Sequence, residues 1–596
     1  MLTEEQIKAI TSDSNYILLN AGPGSGKTTV LTERIVHMVK NWKVPENRIH
    51  GFTFTNKATN EMNYRLNLKL GMNHKVEISN FHQYTFNYLR NFIMPGVEVL
   101  TDSSKEAIIR NLIAERGFKA IEVKDTCKNI SRIKNHLNID EPLLYKKLQI
   151  LEIYYAYEDY LISHNKIDFD GMNLVFLNLL KNDEEFRDMI QDEFDYILVD
   201  EAQDINWIQY EILKIMTGKN NHLFMVGDPN QSIYSFRGSD LKILDDFVKS
   251  YDVEVLNLTI NHRSTKMLVE ASNNVISNNY NKFNVPLVSA NEEGKGPEFK
   301  VLRYTTTAAE YISGIIKKGV ESGKYKYSDY SILFRQNQSR GIYDNSLSYH
   351  GIPHYLFGIG FLEYKEIKLI SSYYNLISDH HDNEAFAQIC NWPKRGIADA
   401  LLSKIRNEAY KTKKSYYEVA KELNDNKLNS FIELIERLGN LMYEMPFDEV
   451  FDEIAKTIQI EKLSKGYYDL QRRNNNISAF KQMFIEYIEE DHSRTFKDLI
   501  NQLSLKTDTD EPNDKVKLMT IHQSKGLESK VVFIVDARDE MMPGKKKGVN
   551  LEEERRVFYV GITRAREELY LITTEKNGPN DKHRCVASRF ISEIYK

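Results

Sequence analysis

Short, unbroken apolar runs recur along the chain, and stretches with helical spacing lie between them. YILLN (Tyr16–Asn20), YILV (Tyr196–Val199), YSILFRQN (Tyr330–Asn337), KVVFIVD (Lys530–Asp536) and LYLIT (Leu569–Thr573) have the length of strands. The last two are almost continuously apolar, as strands covered on both faces of a parallel sheet are. Lys27–Lys40 has apolar residues at Val30, Ile35, Val36 and Val39, which predicts a helix with one buried face. SKEAIIRNLIAERG (Ser104–Gly117) and LEIYYAYEDYLISH (Leu151–His164) predict further helices between the first two strands.

Composition narrows the class. At ~150 residues per domain, the 596 residues predict about four domains. Hydrophobic residues at 41% and charged residues at 28% are ordinary for a globular protein. Cys127, Cys390 and Cys585 are far apart and form no CxxC pair, which argues against a disulfide framework or a zinc site. A reducing, cytoplasmic setting is expected. MLTEEQIKAI lacks the basic flank and apolar core of a signal peptide, and no run is long enough to span a bilayer, so no membrane role is expected. The net charge of −6 argues against a nucleic-acid partner only if charge is spread evenly, because a local groove decides binding. DHHD (Asp379–Asp382) places potential metal ligands side by side, where they rarely converge, and is read as a solvated loop.

NAGPGSGKTT (Asn20–Thr29) is where chemistry enters. It follows a strand, opens a helix, and differs from G-x-x-x-x-G-K-[ST] only by Ala21 in the first position. In that context the backbone N–H groups of Gly22, Pro23, Gly24, Ser25 and Gly26 (proline excepted) and the helix N-terminus face phosphates. Lys27 reaches the β and γ phosphates, and the Thr28 hydroxyl holds Mg²⁺. Ala21 is tolerated because its position presses no side chain on the ligand. FDYILVDEAQDIN (Phe194–Asn206) ends a strand on two carboxylates, Asp200 and Glu201. With a phosphate loop, one is expected near Mg²⁺ and the other to orient the attacking water.

VDEAQD together with VGDPNQSIYSFRG (Val226–Gly238) resembles motifs II and III of superfamily 1A helicases, the UvrD/Rep/PcrA group. The other motifs follow in that family's order. LTEEQ (Leu2–Gln6) resembles the Q motif, FTFTNKATNEM (Phe52–Met62) motif Ia, SNFHQ (Ser79–Gln83) the T-F-H-S segment, and IDFDGM (Ile167–Met172) the D-F-D-D-L segment. LTINHRS (Leu258–Ser264) resembles motif IV, LMTIHQSKGLES (Leu518–Ser529) motif V and EERRVFYVGITRARE (Glu553–Glu567) motif VI. The resemblance implies an α/β fold of two RecA-like P-loop lobes with parallel sheets, each carrying a mainly helical insertion. By motif order, lobe 1A takes residues 1–83 and 182–256, insertion 1B 84–181, lobe 2A 257–360 and 513–596, and insertion 2B 361–512.

The resemblance also implies roles. Gln6 would read adenine, Arg263 and Arg564 would contact the γ-phosphate, Gln231 would sense it, and Glu528 would contact the ribose. Phe54, Thr55 and Asn56 of motif Ia, His82, Tyr234, Phe236 and Arg237 of motif III, and His522 of motif V would line a track for single-stranded DNA. Aromatics in such a track stack on bases, at ~1–3 kcal/mol each; the family has tryptophan where this chain has Phe236. Relatives sandwich adenine between an arginine and a tyrosine, for which this chain has Thr29 and His262. WPKRGIADA (Trp392–Ala400) resembles a duplex-contacting K-R-G-I-G segment, with Ala398 for the second glycine. KTDTDEPND (Lys506–Asp514) is read as the loop returning from 2B to 2A.

Expected from this is an ATP- and Mg²⁺-dependent helicase moving 3′→5′ on single-stranded DNA and acting at ss/dsDNA junctions. Two alternatives share the ATP site: an ATP-gated remodelling clamp, and a motor subunit for a protein partner such as a nuclease or repair factor. An RNA helicase fits this motif set less well.

Overall fold

The computed structural model describes the chain apart from residues 1, 101, 119–120, 136–147, 219–220, 338–339, 357–363, 465–466, 491–498, 501–513, 546–547, 579–580, 582 and 596. It divides into two compact units, one of residues 1–301, 524–575 and 582–596, the other of residues 302–523 and 576–581. Both contain parallel strands and helical segments, so the α/β class and the helical insertions are as expected. Most of the return loop read at Lys506–Asp514 lies outside the described residues.

The first unit is organised by a six-stranded sheet. Its strands are β1 (Tyr16–Ala21), β2 (Ile49–Thr53), β3 (Glu77–Asn80), β6 (Tyr196–Val199), β7 (His222–Gly227) and β8 (Val253–Leu258), in the order β3-β2-β6-β7-β1-β8. Every pairing is parallel. Ile17, Leu18 and Leu19 of β1 are all buried, as an unbroken apolar run requires when helices cover both faces. Parallel strands put their carboxyl ends on one edge, where open α/β sheets bind ligands. Here that edge carries the loops that follow β1, β2, β6 and β7.

Helix α1 (Glu4–Thr11) starts with a capping box between Thr3 and Gln6. Helix α2 (Lys27–Lys40) buries Val30, Leu31, Ile35 and Met38, while Val36 and Val39 are only partly buried against the same core. The apolar spacing therefore located the helix and placed its face slightly off. The reason is Arg34, which is buried on α2 and donates from Nη1 to the carbonyls of Ala9 at 2.9 Å and Ser12 at 2.9 Å, holding the end of α1. Its guanidinium lies 4.5 Å from the Phe224 ring centroid.

Helices α3 (Asn56–Leu70) and α4 (Phe81–Tyr88) follow β2 and β3. The insertion then supplies the short pair β4 (Glu98–Val99) and β5 (Lys166–Ile167), with α5 (Asp102–Glu115), α6 (Val123–Asn135), α7 (Leu148–Ser163) and α8 (Phe169–Asn182). Ile109, Ile130, Ile153 and Tyr157 centre its apolar core. Beside that core lies a buried ionic cluster. Lys134 meets Asp168 at 2.8 Å and Glu158 at 2.6 Å, and Lys105 meets Asp168 at 2.9 Å and Asp170 at 3.0 Å. Burial works against ionisation of Asp168, but the two ammonium groups outweigh it and hold its pKa at about 2. Helices α9 (Glu184–Gln191), α10 (Trp207–Thr217) and α11 (Lys242–Ser250) complete this part. The same compact unit contains β15 (Ser529–Ile534), paired parallel to β16 (Ala565–Lys576), and the helix Leu551–Ile562.

In the second unit, β14 (Val516–Thr520) pairs parallel with β12 (Tyr330–Phe334) and with β13 (His354–Leu356). Its helices between Lys365 and Glu490 enclose Ile370, Tyr373, Phe386, Phe431, Ile435, Phe451 and Ile454. DHHD forms a turn and a helix cap: His380 stacks on Tyr417 at 4.1 Å, and Asp382 accepts the N–H of Ala385 at 2.8 Å. Arg395 of the KRG segment turns inward, donating to the carbonyl of Trp392 at 2.6 Å and to the Tyr373 hydroxyl at 2.9 Å.

Candidate functional site

The loop between β1 and α2 wraps the N-terminus of α2, with Gly24 at φ +70° and Gly26 at φ +89°. A Cβ at Gly26 would lie 2.6 Å from Gln6 Nε2, and one at Gly24 would lie 2.6 Å from Arg263 Cβ. Both the backbone conformation and the close approach demand glycine there. Ala21 is the last residue of β1 and is buried in the sheet, which accounts for the departure from the strict pattern. Gln6 donates from Nε2 to the carbonyl of Ser25 at 2.9 Å while its Oε1 accepts the N–H of Thr3 at 3.0 Å, so the Q-motif residue is fastened to the loop. Lys27, Thr28 and Thr29 begin α2 and remain partly exposed.

Asp200 and Glu201 follow β6, and Glu201 takes a left-handed backbone at φ +53°. Asp200 Oδ1 accepts the N–H of Glu201 at 2.9 Å. Burial, reinforced by the Glu201 charge, pushes the Asp200 carboxyl well above the usual carboxylate range. Burial also works to raise Glu201, but Lys27 and Lys525 overcome it and hold that carboxylate below its usual range. Lys525 makes a short ion pair with Asp204, approaches Glu201 at 3.6 Å and donates to the carbonyl of Gln231 at 3.0 Å.

Motif III closes the circuit. Gln231 donates to Asp228 at 2.7 Å and accepts from Arg564 Nη2 at 2.9 Å. Arg564 is buried and also donates to the carbonyls of Val560 at 2.9 Å and Leu527 at 3.2 Å. Burial and the neighbouring Arg263 charge lower its pKa to about 9, which leaves it cationic at neutral pH. Arg263 makes a short ion pair with Glu528 and donates to the carbonyl of Thr563 at 3.2 Å. Motif IV is bonded to the phosphate loop itself: the N–H of His262 reaches the carbonyl of Gly24 at 2.9 Å, and Asn261 Nδ2 that of Pro23 at 2.7 Å. His262 is exposed. One site therefore gathers Gln6, the loop from Gly22 to Thr29, Asp200, Glu201, Gln231, His262, Arg263, Glu528 and Arg564.

The carboxyl edge of the same sheet bears aromatics. Phe54 stacks on Tyr234 at 5.3 Å, and Tyr234 meets Phe236 at 5.8 Å. Phe236 is 59% exposed, far from the burial expected of a packing aromatic. Thr55 caps α3, and Asn56 Oδ1 accepts Nδ2 of Asn80 at 2.6 Å, which joins motif Ia to the start of α4. His82 on α4 meets Phe169 edge-on at 5.9 Å, and Phe169 is 48% exposed. Arg237 lies on the 3₁₀ turn Ser235–Arg237. His522 belongs to the second unit, just after β14.

Three contributors escaped the sequence reading. Lys525 and Asp204 sit inside motifs V and II, yet nothing in the spacing shows that they pair across 321 positions of chain. Phe169 lies between Asp168 and Asp170, both held in the buried ionic cluster, so its ring is left facing solvent. That alternation of acidic and aromatic residues was the available signal.

Parallel sheets with a glycine loop, adjacent carboxylates and converging arginines at the strand ends define a P-loop NTPase. Two family comparisons agree: the UvrD/REP helicase N-terminal domain matches residues 2–252, and the UvrD-like helicase C-terminal domain matches residues 256–576. The chain is 31% identical over 639 residues to the ATP-dependent DNA helicase PcrA of Bacillus subtilis (strain 168), covering all of this chain and 85% of that protein. Its identity to the PcrA of Staphylococcus aureus (strain MRSA252) is 31% over 630 residues, covering all of this chain and 86% of the relative. The chain belongs to the UvrD/PcrA-like family of superfamily 1 helicases. Among the described residues, no helix is long and apolar enough to cross a membrane.

Proposed function

We propose that this protein is a DNA-dependent ATPase that moves 3′→5′ along single-stranded DNA and opens duplex at ss/dsDNA junctions. The observation that carries the reading is the position of motif III. Gln231 is bonded to Arg564 on the nucleotide side, while Tyr234, three residues on, stacks with Phe54 on the exposed edge. A displacement of motif III by the γ-phosphate is thereby passed to the aromatics that would carry bases. Lys525 reinforces the link, because its Nζ lies 5.4 Å from the Tyr234 ring and 3.6 Å from Glu201.

In this reading Lys27 grips the β and γ phosphates, and Arg263 and Arg564 stabilise charge on the γ-phosphate as hydrolysis proceeds. Glu201 orients the attacking water and takes its proton. Gln231 senses the γ-phosphate, Gln6 and His262 face adenine, and Glu528 the ribose. Arg263 and Glu528 pair with each other, which holds the two motif residues side by side. The residues present fit a magnesium ion. Asp200 uses Oδ1 for a backbone N–H, which leaves Oδ2 available, and Thr28 opens α2 with a partly exposed side chain. Thr28 and Asp200 would hold Mg²⁺, which neutralises phosphate charge when bound. Phe54, Thr55, Asn56, His82, Tyr234, Phe236 and Arg237, with Phe169 added, would line the strand track, and His522 is assigned to strand contact by the motif resemblance alone. The lobe and insertion boundaries given by motif order are part of the same proposal.

The test is ATPase activity with and without single-stranded DNA, alongside strand separation on 3′-tailed and 5′-tailed duplexes. Stimulation by DNA with unwinding of the 3′-tailed duplex alone is the expected result. Stimulation without unwinding of either duplex would favour a remodelling clamp or a motor subunit that works with a nuclease or repair factor. Stronger stimulation by RNA than by DNA would overturn the substrate assignment.

A further inference from the structure

Asn135, the last residue of α6, is buried at the point where the insertion meets motifs II and III. Its Nδ2 donates to Asp170 at 2.8 Å and to the carbonyl of Ser131 at 2.8 Å. Its Oδ1 accepts Nδ2 of Asn206 at 2.9 Å. Both amide protons and the carbonyl are committed, so the side chain has one orientation. Asn206 is the N-cap of α10 and lies five residues beyond Glu201; it forms a capping box with Gln209 and a backbone bridge to Ser239. Gly238, which closes motif III, packs alongside: a Cβ there would lie 3.4 Å from Asn135 Cβ.

On the other side, Asn135 grips the start of α8. Asp170 also accepts from Lys105 at 3.0 Å and Ser131 at 2.6 Å, and Asp168 accepts from Lys134 at 2.8 Å and Tyr157 at 3.2 Å. Phe169 sits between these anchored carboxylates with its ring on the exposed edge beside His82. A rigid polar path therefore runs from Phe169 through Asp170 and Asn135 to Asn206 and the segment that follows Glu201. Buried, fully bonded networks of this kind have few alternative arrangements, so a shift at one end is not absorbed locally.

We propose that Asn135 is a positioning residue through which strand occupancy at Phe169 is reported to the turn bearing Glu201, so that it sets the DNA-stimulated rate and not the basal rate. This rests on the reading of the chain as a DNA-stimulated ATPase. Contiguity is not coupling, so a double-mutant cycle is the decisive measurement.

The experiment measures ATPase rate without DNA and at saturating single-stranded DNA, with the half-saturating DNA concentration, for the unaltered chain, Asn135→Ala, Asn206→Ala and the double variant. For Asn135→Ala, the expected result is a basal rate within about twofold of the unaltered chain, a DNA-saturated rate about 5- to 10-fold lower, and a half-saturating concentration within about twofold. The double variant is expected to lose no more than Asn206→Ala alone. Asn135→Ser, which leaves a smaller polar group in place, is measured in parallel and serves if Asn135→Ala does not fold; an intermediate loss confined to the stimulated rate is expected. Equal loss of basal and stimulated rates, an unchanged stimulated rate, or losses that multiply in the double variant would overturn the proposal. If the unaltered chain shows no stimulation at all, the functional reading fails first, and that outcome is seen before any variant is made.

Discussion

The candidate nucleotide cleft and the proposed strand track draw most of their residues from the first unit, yet they are built on opposite principles. In the cleft, charges are dense and already satisfied by protein: Glu201 by Gln203, Lys525 by Asp204, Arg263 by Glu528, Arg564 by Gln231. On the proposed track, Phe236 and Phe169 present their rings to solvent. A cleft of this kind discriminates by charge. A ligand for its lysine and arginines has to be anionic, as a triphosphate is. A track of stacking faces discriminates little among bases, because every base has a π face. A motor needs that combination: a strict fuel site and a tolerant rail.

The contrast is most severely tested by Arg564→Ala. If the cleft works by charge, turnover falls by ~10³ or more, as expected for a transition-state arginine, while affinity for single-stranded DNA measured without nucleotide is unchanged. Retained turnover in steady-state phosphate release would dismantle the cleft half of the comparison. Glu201→Gln is expected to lower kcat by about 10²- to 10³-fold and to leave ATP binding, read by a fluorescent nucleotide titration, near its original strength. Turnover at the original rate would remove Glu201 from the role of base.

The track depends on buried support, and Asp168 tests that support. Asp168→Asn leaves Lys105 and Lys134 short of a partner, at a cost of about 3 kcal/mol seen as a lower unfolding midpoint in denaturant. The native pKa of Asp168 lies below its unfolded value, so its contribution is complete above about pH 4 and disappears as pH falls toward 2. The unaltered protein should lose roughly 2 kcal/mol more over that window than Asp168→Asn does. Identical acid profiles for the two would show that the ionic cluster contributes nothing. The smallest effect is expected from Phe236→Ala, which weakens single-stranded DNA binding by about 1–2 kcal/mol while basal ATPase persists. Undiminished DNA stimulation would mean that the rail runs elsewhere.

Local features were legible wherever chemistry dictates local backbone. Gly24 and Gly26 announced the loop because glycine takes those torsions without strain and leaves room for Arg263 and Gln6. The apolar run Tyr16–Asn20 announced a short strand, and β1 buries it. On α2 the periodicity misplaced the buried face, because Arg34 is buried by hydrogen bonds to α1 that no hydropathy pattern encodes. The WPKRGIADA segment showed only its resemblance to a duplex-contacting motif, and nothing in it disclosed that Arg395 turns inward onto carbonyls and Tyr373. Phe169 was quoted within its motif and passed over, since its exposure follows from the anchoring of its two neighbours.

From the sequence alone came the kinds of group available and their local settings: a phosphate loop at a strand–helix junction, carboxylates at a strand end, arginines in ordered motifs. Those follow from short-range sterics and hydrogen bonding, which operate over a few residues. Only the tertiary structure decided who meets whom. Arg564 reaches Gln231, Lys525 reaches Asp204, and Asn135 reaches Asn206 across long stretches of chain. Such pairings are set by how helices and strands pack, and packing energy is a sum over the whole core that no single segment records.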